Sequence, residues 1–210
     1  VYAVSAPVKE AFLRLYCDLL PPSIPIDVIH NGIDIGRYQP DATTRQALRQ
    51  RLGFTEDQFV LMFCGRLEAM KRPAFALNVF AGFVTDHPQG RLLVVGDGPE
   101  MAALKAGIDA LKLQDKVILT GQVADTAPYY QASDCYLSTS GDIEGYSLTT
   151  AEALASGIPA VVPDDDVFRS VYGACTAVQR CNPADPTDWC QALLAIARQD
   201  AAARQALGQS

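Results

Sequence analysis

Two histidines, His30 and His87, are all that the sequence offers of the commonest metal ligand, and they are too isolated to form a metal cluster. Each reads as a surface or turn residue. The six cysteines, at positions 17, 64, 135, 175, 181 and 190, show no Cys-x-x-Cys spacing. With Cys64 and Cys135 inside apolar strand patterns, they read as reduced, mostly buried thiols of a cytosolic protein. No apolar stretch reaches membrane-spanning length, and no secretory signal stands at the start, where Val1 in place of Met suits an excised piece of a longer chain. Repeats are absent, and the Ala-rich final stretch is explained by helix propensity. Basic residues are outnumbered: a net charge of −7 argues against nucleic acid as a ligand and against docking on an anionic membrane. A membrane-facing basic patch would have to lie elsewhere in a larger protein, peripheral at the inner membrane face.

What is present is an ordinary globular composition, 49% apolar and 20% charged, in a chain long enough for one well-buried α/β domain. Strand and helix signals alternate, which predicts a doubly wound parallel sheet of about six strands, covered on both faces. The strands expected are 60–64, 92–95, 117–120, 135–138, 159–162 and 174–178. The helices expected are 73–86, 99–111, a short one at 126–131, 148–155, 186–198 and 201–207. Pro73, Pro99 and Pro186 suit first helical positions, where the missing N–H costs nothing.

The segment from Ser140 to Val162 carries the most chemistry. Glu144 and Glu152 are separated by seven residues where a strand hands over to a helix. Gly141 to Gly145 reads as a loop, and Leu148 to Ala155 as a helix whose apolar side is Leu148, Ala151, Leu154 and Ala155. Glu144 then lies in the loop above the sheet and Glu152 one turn into the helix. Gly145, Tyr146 and Ser147 occupy the helix start, where free N–H groups and the positive end of the dipole suit an anion such as a diphosphate. The seven-residue spacing alone is weak, since among six glutamates roughly one chain in seven shows it by chance. A second segment fits from a distance. Phe59 to Cys64 is a continuous apolar run, as in a strand buried on both faces, and Gly65-Arg66 and Lys71 follow at its carboxyl end. Alone, those cations read as a solvated loop.

Embedded in Glu-Gly-Tyr, Ala-Glu-Ala and Gly-Ile-Pro, the glutamate pair resembles the donor half of retaining glycosyltransferases of the GT-B fold, family 4. Tyr146 stands for the family's Phe and Ser147 for its Gly. The likeness extends to Gly-Arg…Lys, with Arg72 in place of the usual Gly after Lys71. It implies a Rossmann-like α/β domain holding a nucleoside diphosphate sugar, UDP- or GDP-linked, with no metal or other cofactor. In that scheme Glu152 holds the ribose hydroxyls and Glu144 the transferred sugar, while Arg66, Lys71 and the amides from Gly145 to Leu148, with Gly65 beside them, grip the diphosphate.

Gly96-Asp97-Gly98-Pro99 follows another strand, but Met101 stands where a nicotinamide-binding fingerprint needs its third Gly. The resemblance makes Gly96 and Gly98 a wall of the nucleotide pocket and Gly121, Gln122 and Val123 a loop beneath the base. Tight turns that need glycine explain both equally well.

The first forty residues carry a boundary. Val1 to Ser5 reads as a strand, Pro7 to Leu20 as a helix capped by Ser5, and Pro21 to Pro25 as a stiff connector. A strand from Asp27 then ends in the Asn31-Gly32 turn. By resemblance, residues 1–24 end an acceptor domain with its linker and 25–210 form the donor domain, so most of the acceptor domain would precede Val1. Two rivals are a GT-B nucleotide-sugar epimerase, which should not need the glutamate pair in this setting, and a non-catalytic nucleotide-binding module, to which Ser147 and Arg72 lend some support.

Overall fold

The computed structural model describes residues 1–19, 21, 24–140 and 144–199. A small parallel pair, β1 (Tyr2–Ala3) and β2 (Asp27–Val28), stands apart from the main sheet and joins residues on both sides of the expected boundary at 24/25. Between them lies α1 (Ala6–Tyr16), followed by a 3₁₀ turn over Cys17–Leu19. The cap expected from Ser5 takes another form. Its carbonyl accepts from the Lys9 N–H at 3.1 Å, whereas its hydroxyl is buried with no hydrogen-bond partner among the described residues.

After α2 (Ile35–Tyr38) and α3 (Ala42–Leu52) the main sheet begins with β3 (Phe59–Cys64), and a 3₁₀ turn over Ala69–Lys71 leads into α4 (Pro73–Asp86). Then follow β4 (Gly90–Val95), α5 (Met101–Ala110), β5 (Val117–Leu119), α6 (Ala127–Gln131), β6 (Cys135–Leu137), α7 (Leu148–Ala155), β7 (Ala160–Pro163), α8 (Asp166–Tyr172), β8 (Val178–Cys181) and α9 (Pro186–Ala197). The six strands are all parallel in the order β5-β4-β3-β6-β7-β8, the doubly wound α/β sheet that the sequence predicts.

Alternation along the strands divides the core. Phe59, Leu61, Phe63, Leu92 and Val94 face α4, α5 and α9, where Phe80, Phe83, Leu104 and Trp189 pack. Val60, Met62, Leu93, Val95 and Val162 face the opposite layer with Tyr38, Tyr130, Ala153 and Phe168. Every residue of β3 is therefore buried, which is why it reads as an unbroken apolar run.

Three expectations shift. The helix expected from Pro99 starts at Met101, its first i→i−4 bond running from the Leu104 N–H to the Glu100 carbonyl at 2.9 Å, while the Glu100 N–H ties the turn to the Leu67 carbonyl at 2.9 Å. The last strand is Val178–Cys181 rather than 174–178; it is an edge strand with Gln179 and Arg180 exposed. On α7 the buried positions are Thr150 and Ala153, while Leu148 is exposed at the rim of the sheet. The expected helix over 201–207 lies outside the described residues, as do Gly141 to Ile143 of the expected loop.

Candidate functional site

The strand order reverses between β3 and β6, and in such sheets the crevice at the carboxyl ends of those strands is where ligands bind. Two loops meet there. Gly65 leaves β3 with φ +142, and the chain turns through Ala69–Lys71 to Arg72 at φ +52. The Thr139 hydroxyl, just past β6, donates to the Lys71 carbonyl at 2.7 Å and fixes that turn against the neighbouring strand. Lys71 Nζ then reaches Glu144 Oε2 at 2.5 Å, across 73 positions of sequence. Both side chains are largely buried, 24% and 15% exposed, so the pair is shielded from the screening that weakens surface ion pairs.

Glu152 lies one turn into α7. The Tyr38 hydroxyl donates to its Oε1 at 2.9 Å and stands 3.3 Å from the Thr126 hydroxyl. Burial, ahead of the Glu152 carboxylate, pushes the Tyr38 phenol above its ordinary pKa and keeps it a donor. Thr126 lines a cleft of about 560 Å³ that Gly65, Arg66, Gly96, Gly98, Gln122 and Val123 also line. Burial likewise raises the thiol of Cys64, at the floor of this cleft, to about 11, so it stays protonated and inert at neutral pH.

The expected site residues fall into three groups. Lys71 and Glu144 are joined directly, and Glu152 stands one turn into α7. The cleft collects Gly65, Arg66, Gly96, Gly98, Gln122 and Val123, with Gly121 behind its wall, where the Gly121 carbonyl accepts from the Gly96 N–H at 2.9 Å. Arg66 is the outlier: its guanidinium is exposed at the rim and paired with Glu68 at 2.6 Å rather than with Glu144 or Glu152. Close packing explains the Gly96 and Gly98 turns. A Cβ at Gly96 would lie 2.0 Å from the Gly65 carbonyl oxygen, and one at Gly98 would lie 2.4 Å from that of Leu67.

The start of α7 is braced from outside the expected motif. Tyr172, on α8, donates from its hydroxyl to the Ser147 carbonyl at 2.7 Å, and its ring packs on that of Tyr146. Ser147 adopts φ +60, and its hydroxyl turns inward to Thr150 at 2.9 Å instead of capping the backbone. Gly145 lies against Val4 and Val8, where a Cβ would meet Val4 at 3.2 Å. Tyr38 and Tyr172 are the functional-site residues that sequence reasoning misses. Neither stands in a motif, and nothing in the sequence ties Tyr38 to a glutamate 114 positions away.

A separate cavity of about 280 Å³ lies at the amino ends of β6 and β7, beside Arg45 and Asp134. These two groups are paired with each other at 2.7 Å.

Residues 44–198 match the family described as glycosyl transferases group 1, and the segment includes both glutamates and both cations. The chain belongs to the group 1 glycosyltransferases. Among curated members it is 33% identical over 146 residues to an alpha-monoglucosyldiacylglycerol synthase of Acholeplasma laidlawii, covering 67% of this chain and 36% of that protein. It is 34% identical over 161 residues to a mannosylfructose-phosphate synthase of Agrobacterium fabrum, covering 70% of this chain and 35% of the relative. The chain thus spans about a third of the length of these relatives. Two solved structures share the fold at low identity. Anabaena HepE, in complex with UDP and glucose, superposes with a TM-score of 0.85 at 22% identity, covering 100% of this chain and 56% of that one. WaaG, a glycosyltransferase involved in lipopolysaccharide biosynthesis, gives a TM-score of 0.84 at 17% identity, over 99% of this chain and 56% of its own. As a group 1 member the chain carries one GT-B, Rossmann-like half.

Proposed function

We propose that residues 25–210 are the donor-binding half of a retaining, metal-independent glycosyltransferase, with residues 1–24 the end of the acceptor domain and its linker. The observation that carries this reading is the contact of Lys71 Nζ with Glu144 Oε2 at 2.5 Å, which brings the two motifs to one edge of the sheet. A nucleoside diphosphate laid along the cleft would put its base by Gln122 and Val123, its ribose at Glu152 and its diphosphate at Arg66, Lys71 and the amides from Gly145 to Leu148. The sugar hydroxyls would fall to Glu144. HepE, solved with UDP and glucose, supports a uridine nucleotide as the first probe.

Catalysis in this scheme is electrostatic. The anomeric carbon–oxygen bond breaks with its electron pair leaving on the diphosphate, whose growing charge meets Lys71, Arg66 and the start of α7. The acceptor oxygen bonds to the anomeric carbon from the same face, and its proton passes to the departing phosphate oxygen. Before donor arrives, Glu144 and Glu68 occupy the two cations, so both pairs must open or be shared when phosphate enters. The full protein would act in the cytoplasm, with any membrane contact through the acceptor domain.

The two-domain reading has a direct test. Holding acceptor and donor in near-attack geometry contributes roughly 7–11 kcal/mol to lowering a barrier, and one wall of the cleft cannot supply it. Residues 1–210 alone should bind donor yet transfer no sugar, whereas a longer protein with its upstream sequence should transfer several orders of magnitude faster at similar nucleotide affinity. Full-rate transfer by residues 1–210 would overturn the assignment of this chain to the donor half.

A further inference from the structure

The Tyr38 hydroxyl occupies one oxygen of Glu152, at 2.9 Å from Oε1, and Glu152 Oε2 has no hydrogen-bond partner among the described residues. The ring of Tyr38 is itself fixed. It is 6% exposed, meets Tyr130 edge to face at 5.9 Å, and stands on α2 beside Arg37. Arg37 binds Asp125 at 2.8 Å, and Asp125 accepts from the Ala127 N–H, the first of α6, at 3.1 Å. Helix α2 thus clips together the loop that carries Gln122, Val123 and Thr126 and the helix that carries Glu152. A carboxylate has about four lone-pair sites, so one held oxygen leaves the other to accept from a ligand in a set orientation. An aromatic side chain without a hydroxyl would fill the same volume and leave the carboxylate free to rotate.

We infer that Tyr38 is a positioning residue that fixes the Glu152 carboxylate toward the cleft and thereby sets how strongly this site distinguishes ribose hydroxyls from their absence. The inference rests on the assignment of Glu152 to the ribose made above. Burial of the phenol, which keeps it protonated through neutral pH, agrees with a permanent donor role.

Calorimetry on residues 1–210 with UDP and with 2′,3′-dideoxy-UDP tests it. The native chain should prefer UDP, and Glu152→Ala should abolish that preference. Tyr38→Phe should weaken UDP by roughly five- to tenfold, the effect of one hydrogen bond, while leaving the dideoxy compound unchanged, so that the ratio narrows. A ratio in Tyr38→Phe as wide as in the native chain overturns the inference, even if both affinities fall together, since that is what a purely structural role would do. If the native chain shows no preference, or Glu152→Ala retains it, the assignment of Glu152 to the ribose fails first and the inference with it. Should the phenylalanine variant not fold, Tyr38→His, whose ring is too short to reach Glu152, should narrow the ratio in the same way; a native ratio there overturns the inference too.

Discussion

Arg72, Lys112 and Ser147 are the non-glycine residues at positive φ among those described, at +52, +56 and +60. Two of them, Arg72 and Ser147, stand where the resemblance puts Gly, so the geometry accounts for the family's choice: left-handed backbone costs a side-chain-bearing residue roughly 1–2 kcal/mol and glycine almost nothing. Each departure has something to offset the strain. The Arg72 guanidinium lies 4.1 Å from the centre of the Phe75 ring, and the Ser147 hydroxyl bonds Thr150 at 2.9 Å. Lys112, exposed after α5, has no such side-chain partner among the described residues to offset its strain. Lys112→Gly should therefore stabilise the fold by about 0.5–1 kcal/mol after the entropy of the new glycine is subtracted, whereas Ser147→Gly should come out near neutral. Urea denaturation measures both, and equal gains at the two positions would show that the Ser147 hydroxyl offsets nothing.

At the scale of elements, α3 is held to the sheet by buried charge. Arg49, fully buried on α3, donates to the Ala132, Thr55 and Gln58 carbonyls and to Asp134 Oδ2 at 3.2 Å; Asp134 also accepts from the Val60 N–H at 2.7 Å. Removing one partner of such a group strands the other, at about 3–5 kcal/mol. Asp134→Ala should cost that much in stability but leave UDP affinity unchanged wherever the variant is folded, because the network sits at the amino ends of the strands. A loss under 1 kcal/mol in urea denaturation would contradict the network's role. The same helix marks where sequence reading runs short. Its residues are mostly polar, so apolar periodicity passes over Ala42–Leu52, and what fixes the helix is its two ends: Asp41 accepts from the Thr43 and Thr44 N–H groups, and Gly53 closes the helix at φ +75. β3 and α4 were legible because burial on both faces, or a proline at the first turn, writes itself into residue type. β8 was displaced because an edge strand with two exposed polar residues has no such run, while the apolar stretch from Ala174 to Val178 mostly precedes it. In the site, the glutamates and cations were singled out through the family resemblance, their spacing alone being weak, but the Tyr38–Glu152 and Tyr172–Ser147 bonds are products of packing between elements remote in sequence.

For the whole molecule, burial of thiols predicts an alkaline limit. The Cys64 thiol is raised to about 11 and that of Cys181 to about 12, in both cases chiefly by burial, from 9.0 for an exposed thiol. The folded chain then keeps protons that the unfolded chain releases. Stability is full below about pH 9 and falls as pH rises toward 11, by up to ~1.4 kcal/mol per pH unit for Cys64 alone. Urea midpoints should hold level to pH 8.5 and drop by pH 10.5, with a shallower drop in Cys64→Ala; a level midpoint throughout would contradict the burial of these groups.

The central claim is that the segments 65–71 and 144–152 form a single site in which fixed cations and the start of α7 hold a diphosphate. Calorimetry of UDP with residues 1–210 in EDTA tests it most directly. The account predicts binding without divalent metal, unchanged on adding magnesium, and weakened by about 1.5–3 kcal/mol in Lys71→Ala, the range for a hydrogen bond to a charged group. Binding that appears only with magnesium or manganese, or that is indifferent to Lys71→Ala, would contradict it.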